Sequence, residues 1–170
     1  MAENRIEFIR NGFQESVDSR HKTQEMISYF EKCLMPELRD EEPLFTAYYG
    51  SLTILLVKHG FNPFTRLSNL RDGMEYLDRS VALRPRNIEI RFLRFSTLVN
   101  LPALLGYTDQ LKKDTVQIFL LMTREEEQMG CFEDEMRINM ISSVIESGRL
   151  NERQQQEFEQ LFDRWNYENE

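Results

Sequence analysis

The chain has 170 residues, of which 41% are apolar, 7 are Gly and 5 are Pro, which is typical of one folded domain and not of a disordered tail. Its 21 basic and 29 acidic residues leave a net charge of -8, which counts against general binding to nucleic acid or anionic lipid, since both depend on Lys and Arg. No apolar run is as long as a membrane span, and the first ten residues lack a signal-peptide pattern. The two cysteines lie far apart in the sequence, which suits reduced thiols. We therefore expect a cytoplasmic protein without a membrane segment.

Eight stretches carry apolar side chains at intervals of three and four, which predicts eight α-helices and no β-strand. The first helix is predicted over Ala2 to Ser19. The second holds Met26 and Phe30 and ends before Pro36, because proline cannot continue a helix. The third, Leu44 to Lys58, is apolar on most sides and should therefore be central.

The later helices are delimited by turn and capping residues. The predicted boundaries are the stop signal His59 to Pro63, the N-caps Asn87 and Thr108, the C-terminal cap pair Ser147 and Gly148, and a capping box of Asn151 with Gln154. Antiparallel pairs of about 42 residues each have the length of helical repeat units, which predicts a solenoid. No linker or change of composition divides the chain, so we expect a single helical-repeat domain over residues 1-170.

Small and large side chains recur in a partly repeated pattern between Phe45 and Leu101. They are Leu77, Ser80, Val81, Leu83 and Pro85 with Gly73 before them, Ala47, Gly50, Ser51 and Ile54 one unit earlier, and Phe92, Phe95, Ser96 and Val99 one unit later. This pattern resembles the tetratricopeptide repeat (TPR), in which small side chains let two helix backbones approach. The resemblance implies an all-α fold of antiparallel helix pairs, stacked as a short TPR-like α–α superhelix of about eight helices. Because 23 residues separate Gly50 from Gly73, we expect a long loop between the paired helices, from His59 to Leu67.

The sequence contains no motif for catalysis or for cofactor binding. His21 and Glu25 lie four positions apart, which suits two metal ligands, but no third ligand has a matching spacing, and a solvated polar face explains them. Cys33 suits a packing position, and the acidic neighbours of Cys131 disfavour a thiolate. We therefore expect no enzyme, no cofactor and no metal site.

One short segment is locally basic in this acidic chain. Four arginines and one acid lie between Arg84 and Arg94, and two interpretations are open. In the first, Arg91 and Arg94 join Asn100 in a polar patch that binds a carboxylate or backbone group of a partner. In the second, the arginines pair inside the protein with an acid of a neighbouring helix, namely Asp72, Glu75, Asp78 or Asp114.

Together these features predict a protein-binding or peptide-binding scaffold or adaptor that uses the concave face of a TPR-like array. Its groove residues are predicted to be Tyr48 and Leu52 for apolar contact, with Arg91, Arg94 and Asn100 for polar contact. A shift of one residue in helix register would rotate each of them by about 100°. The aromatic cluster of Phe45, Tyr48, Tyr49, Phe61 and Phe64 suits either the core or the lining of this groove.

Two other functions stay open. A structural subunit would self-associate into a homo-oligomer through apolar residues of the last helix, namely Phe158, Phe162 and Trp165. An enzyme would need residues such as His21 or Cys33 to converge from different helices. The acidic segments 125–135 and 151–170 either attract a basic partner or simply keep the protein in solution.

Overall fold

The computed structural model is all-α and describes residues 2–34, 42–59, 63–124, 129–130 and 132–167. Within these ranges there are eight α-helices and no β-strand, which confirms the predicted all-α class. The helices are α1 Ala2–Asp18, α2 Arg20–Tyr29, α3 Pro43–His59, α4 Pro63–Leu83, α5 Ile88–Val99, α6 Thr108–Arg124, α7 Asp134–Glu146 and α8 Glu152–Tyr167. A π-helical turn, Phe30–Leu34, continues α2, and a 3-10 turn, Ala103–Leu105, precedes α6. None of these helices is both long enough and apolar enough to cross a bilayer.

The helices group into two compact units. Unit 1, Met1–Pro85, contains α1 to α4, and unit 2, Arg86–Glu170, contains α5 to α8. In unit 1, α3 packs most extensively on α4 and also contacts α1 and α2, so it is the central helix of its unit, as its apolar sequence predicted. In unit 2, α5 packs on α6, α7 packs on α8, and α8 also contacts α6.

Each unit encloses its own apolar core, to which each of its four helices contributes. The largest fully buried side chains are Ile9, Met26, Phe30, Leu34, Tyr48, Leu52 and Leu77 in unit 1, and Ile90, Phe95, Leu98, Ile118 and Phe158 in unit 2, where Met140 of α7 is also fully buried. Full burial of one such apolar side chain stabilises the folded state by about 1.5–3 kcal/mol. The apolar stripes that predict the helices are therefore also the faces that hold them together.

Polar side chains form hydrogen bonds where α1 ends and α2 begins. Ser19, predicted to be the last residue of α1, instead caps α2, because its Oγ accepts a hydrogen bond from the backbone N of Lys22 at 3.2 Å. The buried hydroxyl of Thr23 donates to the carbonyl oxygen of Ser16 at 2.9 Å. Lys58 Nζ, on α3, donates to the carbonyl oxygen of Val17 at 2.7 Å. These two bonds satisfy carbonyl groups in the last turn of α1 that have no partner within the helix.

Two glycines allow α3 and α4 to cross at short range. A Cβ atom added to Gly73 would lie 2.6 Å from the carbonyl oxygen of Gly50, and one added to Gly50 would lie 2.7 Å from the carbonyl oxygen of Gly73. Both distances are too short for a real contact, so the crossing requires glycine at both positions. The predicted long loop between these helices is wrong, because α3 extends to His59 and α4 begins at Pro63. The additional residues between the two glycines lengthen the helices instead.

Two N-caps of unit 2 are formed by the predicted residues. At the start of α5, the backbone N of Ile90 donates to Asn87 Oδ1 at 2.9 Å. At the start of α8, the backbone N of Gln154 donates to Asn151 Oδ1 at 2.9 Å, and the backbone N of Asn151 donates to Gln154 Oε1 at 3.1 Å. This reciprocal pair is the capping box that the sequence predicts.

The start of α6 differs from its prediction, whereas the end of α7 agrees with it. The prediction of Thr108 as an N-cap is wrong by one residue, because α6 already includes Thr108 and the carbonyl oxygen of Tyr107 accepts a bond from the backbone N of Leu111. Gly148 follows α7 with a φ of +63°, a conformation that favours glycine and ends the helix as predicted.

Candidate functional site

The two predicted apolar groove residues lie in the core of unit 1. Tyr48 is 1% exposed and Leu52 is 0% exposed. The Tyr48 ring packs edge-on against Phe13 of α1, with 5.3 Å between ring centroids. A contact of Tyr48 and Leu52 with a partner is inconsistent with this burial, because α1, α2 and α4 all pack on α3. Tyr49, the next residue on α3, is half-buried. Successive residues of a helix are rotated by about 100°, so Tyr49 faces a different side of α3 from Tyr48 and is partly accessible to solvent.

The predicted basic patch is engaged within unit 2. Arg91 NH1 donates to Asp114 Oδ1 at 2.7 Å, and Arg94 donates to the same carboxylate through Nε at 2.7 Å and NH2 at 2.8 Å. Arg91 is 9% exposed, Arg94 is 6% exposed and Asp114 is fully buried. The interpretation as internal pairing is therefore correct for both arginines, and of the four candidate acids Asp114 is the partner that they share.

The packing of α5 on α6 explains this arrangement. Arg91 and Arg94 lie three positions apart and so lie on one face of α5, and Asp114 lies on the facing side of α6. The two-pronged contact of Arg94 matches the fork of its guanidinium to the carboxylate. Asn100, the last predicted groove residue, is exposed at the end of α5, and its side-chain amide donates to the carbonyl oxygen of Ser96 at 2.9 Å.

The remaining candidate residues for chemistry lie on the surface. His21 and Cys33 are both exposed. Across the described ranges, no group of three or more His, Cys, Asp or Glu side chains is arranged to hold a metal ion. Cys131, Phe61, the side chain of Phe64 and residues 125–128 of the acidic segment lie outside the described residues.

The apolar residues proposed for self-association pack largely within unit 2. Phe158 is 0% exposed and Trp165 is 7% exposed, whereas Phe162 is half-buried. Phe158 contacts the ring of Phe119 on α6 with 5.1 Å between centroids. The guanidinium of Arg137 lies 5.9 Å from the centroid of the Trp165 ring. The apolar face of α8 is thus used inside its own unit.

Five aromatic rings form a continuous series across the four helices of unit 1. We call Phe8, Tyr29, Phe30, Tyr49 and Tyr76 the aromatic band. Successive ring centroids are 5.0, 6.2, 5.8 and 5.1 Å apart, and three of the four ring pairs meet edge to face. Phe30 is fully buried, Phe8 is 47% exposed, and the three tyrosines are half-buried. The band therefore has a buried anchor and four rings with solvent-accessible surface.

At Tyr49 the aromatic band meets the carboxylate of Glu31. The Tyr49 hydroxyl donates to Glu31 Oε1 at 3.3 Å, and Glu31 is exposed on the π-helical turn, a kind of turn that often occurs at functional sites. Among the described residues, Glu31 forms no ion pair with Lys or Arg. Glu25, on α2, shares Lys22 with Glu15, and the hydrogen bond that the Lys22 ammonium donates to Glu15 raises the pKa of Lys22 above its ordinary value of 10.5.

The sequence contained a usable signal for the aromatic band. Phe8, Tyr29 and Tyr76 are aromatic residues that fall outside the apolar stripes of their helices. An aromatic side chain beside a stripe lies at the edge of the buried face, where part of the ring stays accessible. No family model, curated protein or solved structure matches this chain.

Proposed function

We propose that this chain is a cytoplasmic protein-binding module that holds a peptide segment of a partner against the aromatic band. The observation that carries the proposal is the band itself, in which Phe8 packs on Tyr29, Tyr49 packs on Tyr76, and the buried Phe30 contacts both tyrosines Tyr29 and Tyr49. Tyrosine is enriched at protein interfaces because it offers a large apolar surface and a polar end at little cost in conformational entropy.

The proposal keeps a TPR-like stacking of helix pairs. Its support in unit 1 is the crossing at Gly50 and Gly73, where two small residues let the backbones of α3 and α4 approach, as the resemblance requires. The binding residues differ from those predicted from the sequence. Burial of Tyr48 and Leu52 and the pairing of Arg91 favour the aromatic band over the groove first predicted.

Peptide display tests this function directly. Random peptides displayed on phage are selected on the immobilised full chain, and the affinities of enriched peptides are measured by fluorescence anisotropy. The test variant is Tyr49→Leu/Tyr76→Leu, which removes two rings and keeps apolar side chains in their place. The matched control is Leu104→Ala, which removes an apolar side chain that is 87% exposed in unit 2.

We expect the enriched peptides to bind the control as tightly as the wild type and to lose about tenfold or more in affinity on the double variant. Far-UV circular dichroism checks that the helices are intact. If the double variant unfolds, Phe8→Ala replaces it, because Phe8 is 47% exposed and its removal leaves the core filled. A selection without enriched peptides, or equal binding to a folded band variant, would refute the proposed function.

A further inference from the structure

The aromatic band and Glu31 together favour a positively charged group. The faces of aromatic rings carry a partial negative charge that attracts cations. Glu31 adds a full negative charge at the Tyr49 hydroxyl, 3.3 Å away. The net charge of -8 on the chain also steers basic partners toward it.

We propose that the peptide held by the aromatic band is basic and presents an arginine side chain to Tyr49 and Glu31. This inference rests on the proposed function. A guanidinium group is planar, stacks on an aromatic ring and directs a fork of N–H donors at a carboxylate. The ammonium group of lysine is a compact, strongly hydrated charge and cannot make the stacked, forked contact.

Glu31 is the acid whose carboxylate contacts a ring of the band, and it has the capacity to accept this arginine. Asp72, one turn before Tyr76 on α4, already accepts hydrogen bonds from Ser68 at 3.2 Å and from Arg71 at 3.4 Å. Glu25, one turn before Tyr29, is paired with Lys22 at 3.4 Å. In the described part of the chain, Glu31 accepts one hydrogen bond, from Tyr49 to Oε1, which leaves its second oxygen for a guanidinium.

The test uses the peptides selected on the full chain. Each arginine in a peptide is replaced by citrulline, which has nearly the same shape without the charge, and in a second series by lysine. Dissociation constants are measured on the wild type, on Glu31→Gln and on Glu157→Gln. Glu157 is exposed on α8 and belongs to unit 2, so this control makes the same change in net charge without altering a residue of the unit that carries the band.

We expect one arginine whose replacement by citrulline raises the dissociation constant about tenfold or more, with lysine in between. Glu31→Gln should weaken the arginine peptide by about tenfold and leave the citrulline peptide unchanged, since the two changes remove the same contact. Glu157→Gln should change neither.

The outcomes separate this inference from the proposed function. Peptides that require Tyr49 and Tyr76 but bind equally well with citrulline, or bind Glu31→Gln as tightly as the wild type, would overturn the arginine inference alone. Peptides that bind the band variants as tightly as the wild type, or a selection that enriches no peptide, would overturn both the arginine inference and the proposed function. Glu31 is exposed, so Glu31→Gln tests the contact without disturbing the core.

Discussion

Replacing Asp114 with asparagine removes the carboxylate that two buried arginines share. Asp114 is fully buried and accepts three hydrogen bonds of 2.7 to 2.8 Å from Arg91 and Arg94. Asparagine offers one acceptor oxygen and no charge, so both guanidinium groups lose the counter-charge that Asp114 supplies. Removing one partner of a buried ion pair costs about 3–5 kcal/mol, and we expect Asp114→Asn to lower the free energy of unfolding of unit 2 by this amount.

The single tryptophan provides the assay. Trp165 is 7% exposed within unit 2, so its fluorescence in a urea titration reports the unfolding of that unit. Far-UV circular dichroism of the same samples follows the helices of the whole chain. The control is Asp163→Asn, the same substitution at an exposed position of α8, which should change the free energy of unfolding by less than about 0.5 kcal/mol.

A loss below about 1 kcal/mol for Asp114→Asn would refute the reasoning, because it would mean that the carboxylate does not compensate for the burial of the two arginines. A second variant separates the ion pairs from the packing. Replacing Arg91 and Arg94 with methionine and Asp114 with leucine removes all three charges at similar volume. We expect this triple variant to be more stable than Asp114→Asn.

Two further substitutions test the helix crossing in unit 1 and a helix cap in unit 2. Gly73→Ala should lower the free energy of unfolding by about 1–3 kcal/mol, because its Cβ would overlap Ile54 Cγ1 and lie 2.6 Å from the carbonyl oxygen of Gly50. Gly130→Ala, with no atom within 4 Å of its Cβ, should cost little. Urea titrations followed by circular dichroism compare the two, and equal effects would contradict the close crossing. Asn151→Ala should lower the free energy of unfolding by about 1 kcal/mol, because it removes the capping box of α8, whereas Gln156→Ala, at an exposed position of α8, should not. Urea titrations followed by Trp165 fluorescence measure both variants. Equal losses of stability would exclude the cap as the cause.

Helix positions were predictable because the signals for them are local. Apolar spacing reports which residues share a helix face, and Asn87 and Asn151 cap because their side chains reach backbone groups three residues away. The spacing of Gly50 and Gly73 was also visible, yet the sequence placed the intervening residues in a loop. Spacing alone cannot distinguish a longer loop from longer helices, and in the structure the helices are longer.

The candidate site was less predictable because its residues come together from different helices. The excess of arginine near Arg91 was clear from the sequence, but four acids qualified as partners, and the packing of α5 on α6 selects Asp114. Likewise, Tyr48 and Tyr49 are equivalent in composition, and the rotation of α3 between its neighbours buries the first and leaves the second half-buried.

By itself, the sequence determined that this chain is all-α, where most of its helices begin and end, and which faces of them are apolar, because these properties depend on residues within a few positions of one another. Only the tertiary structure decided which tyrosine reaches the surface, which acid binds the arginines and that Phe8, Tyr29, Phe30, Tyr49 and Tyr76 adjoin. These outcomes depend on how each helix is rotated against its neighbours, which is set by packing between residues far apart in the chain.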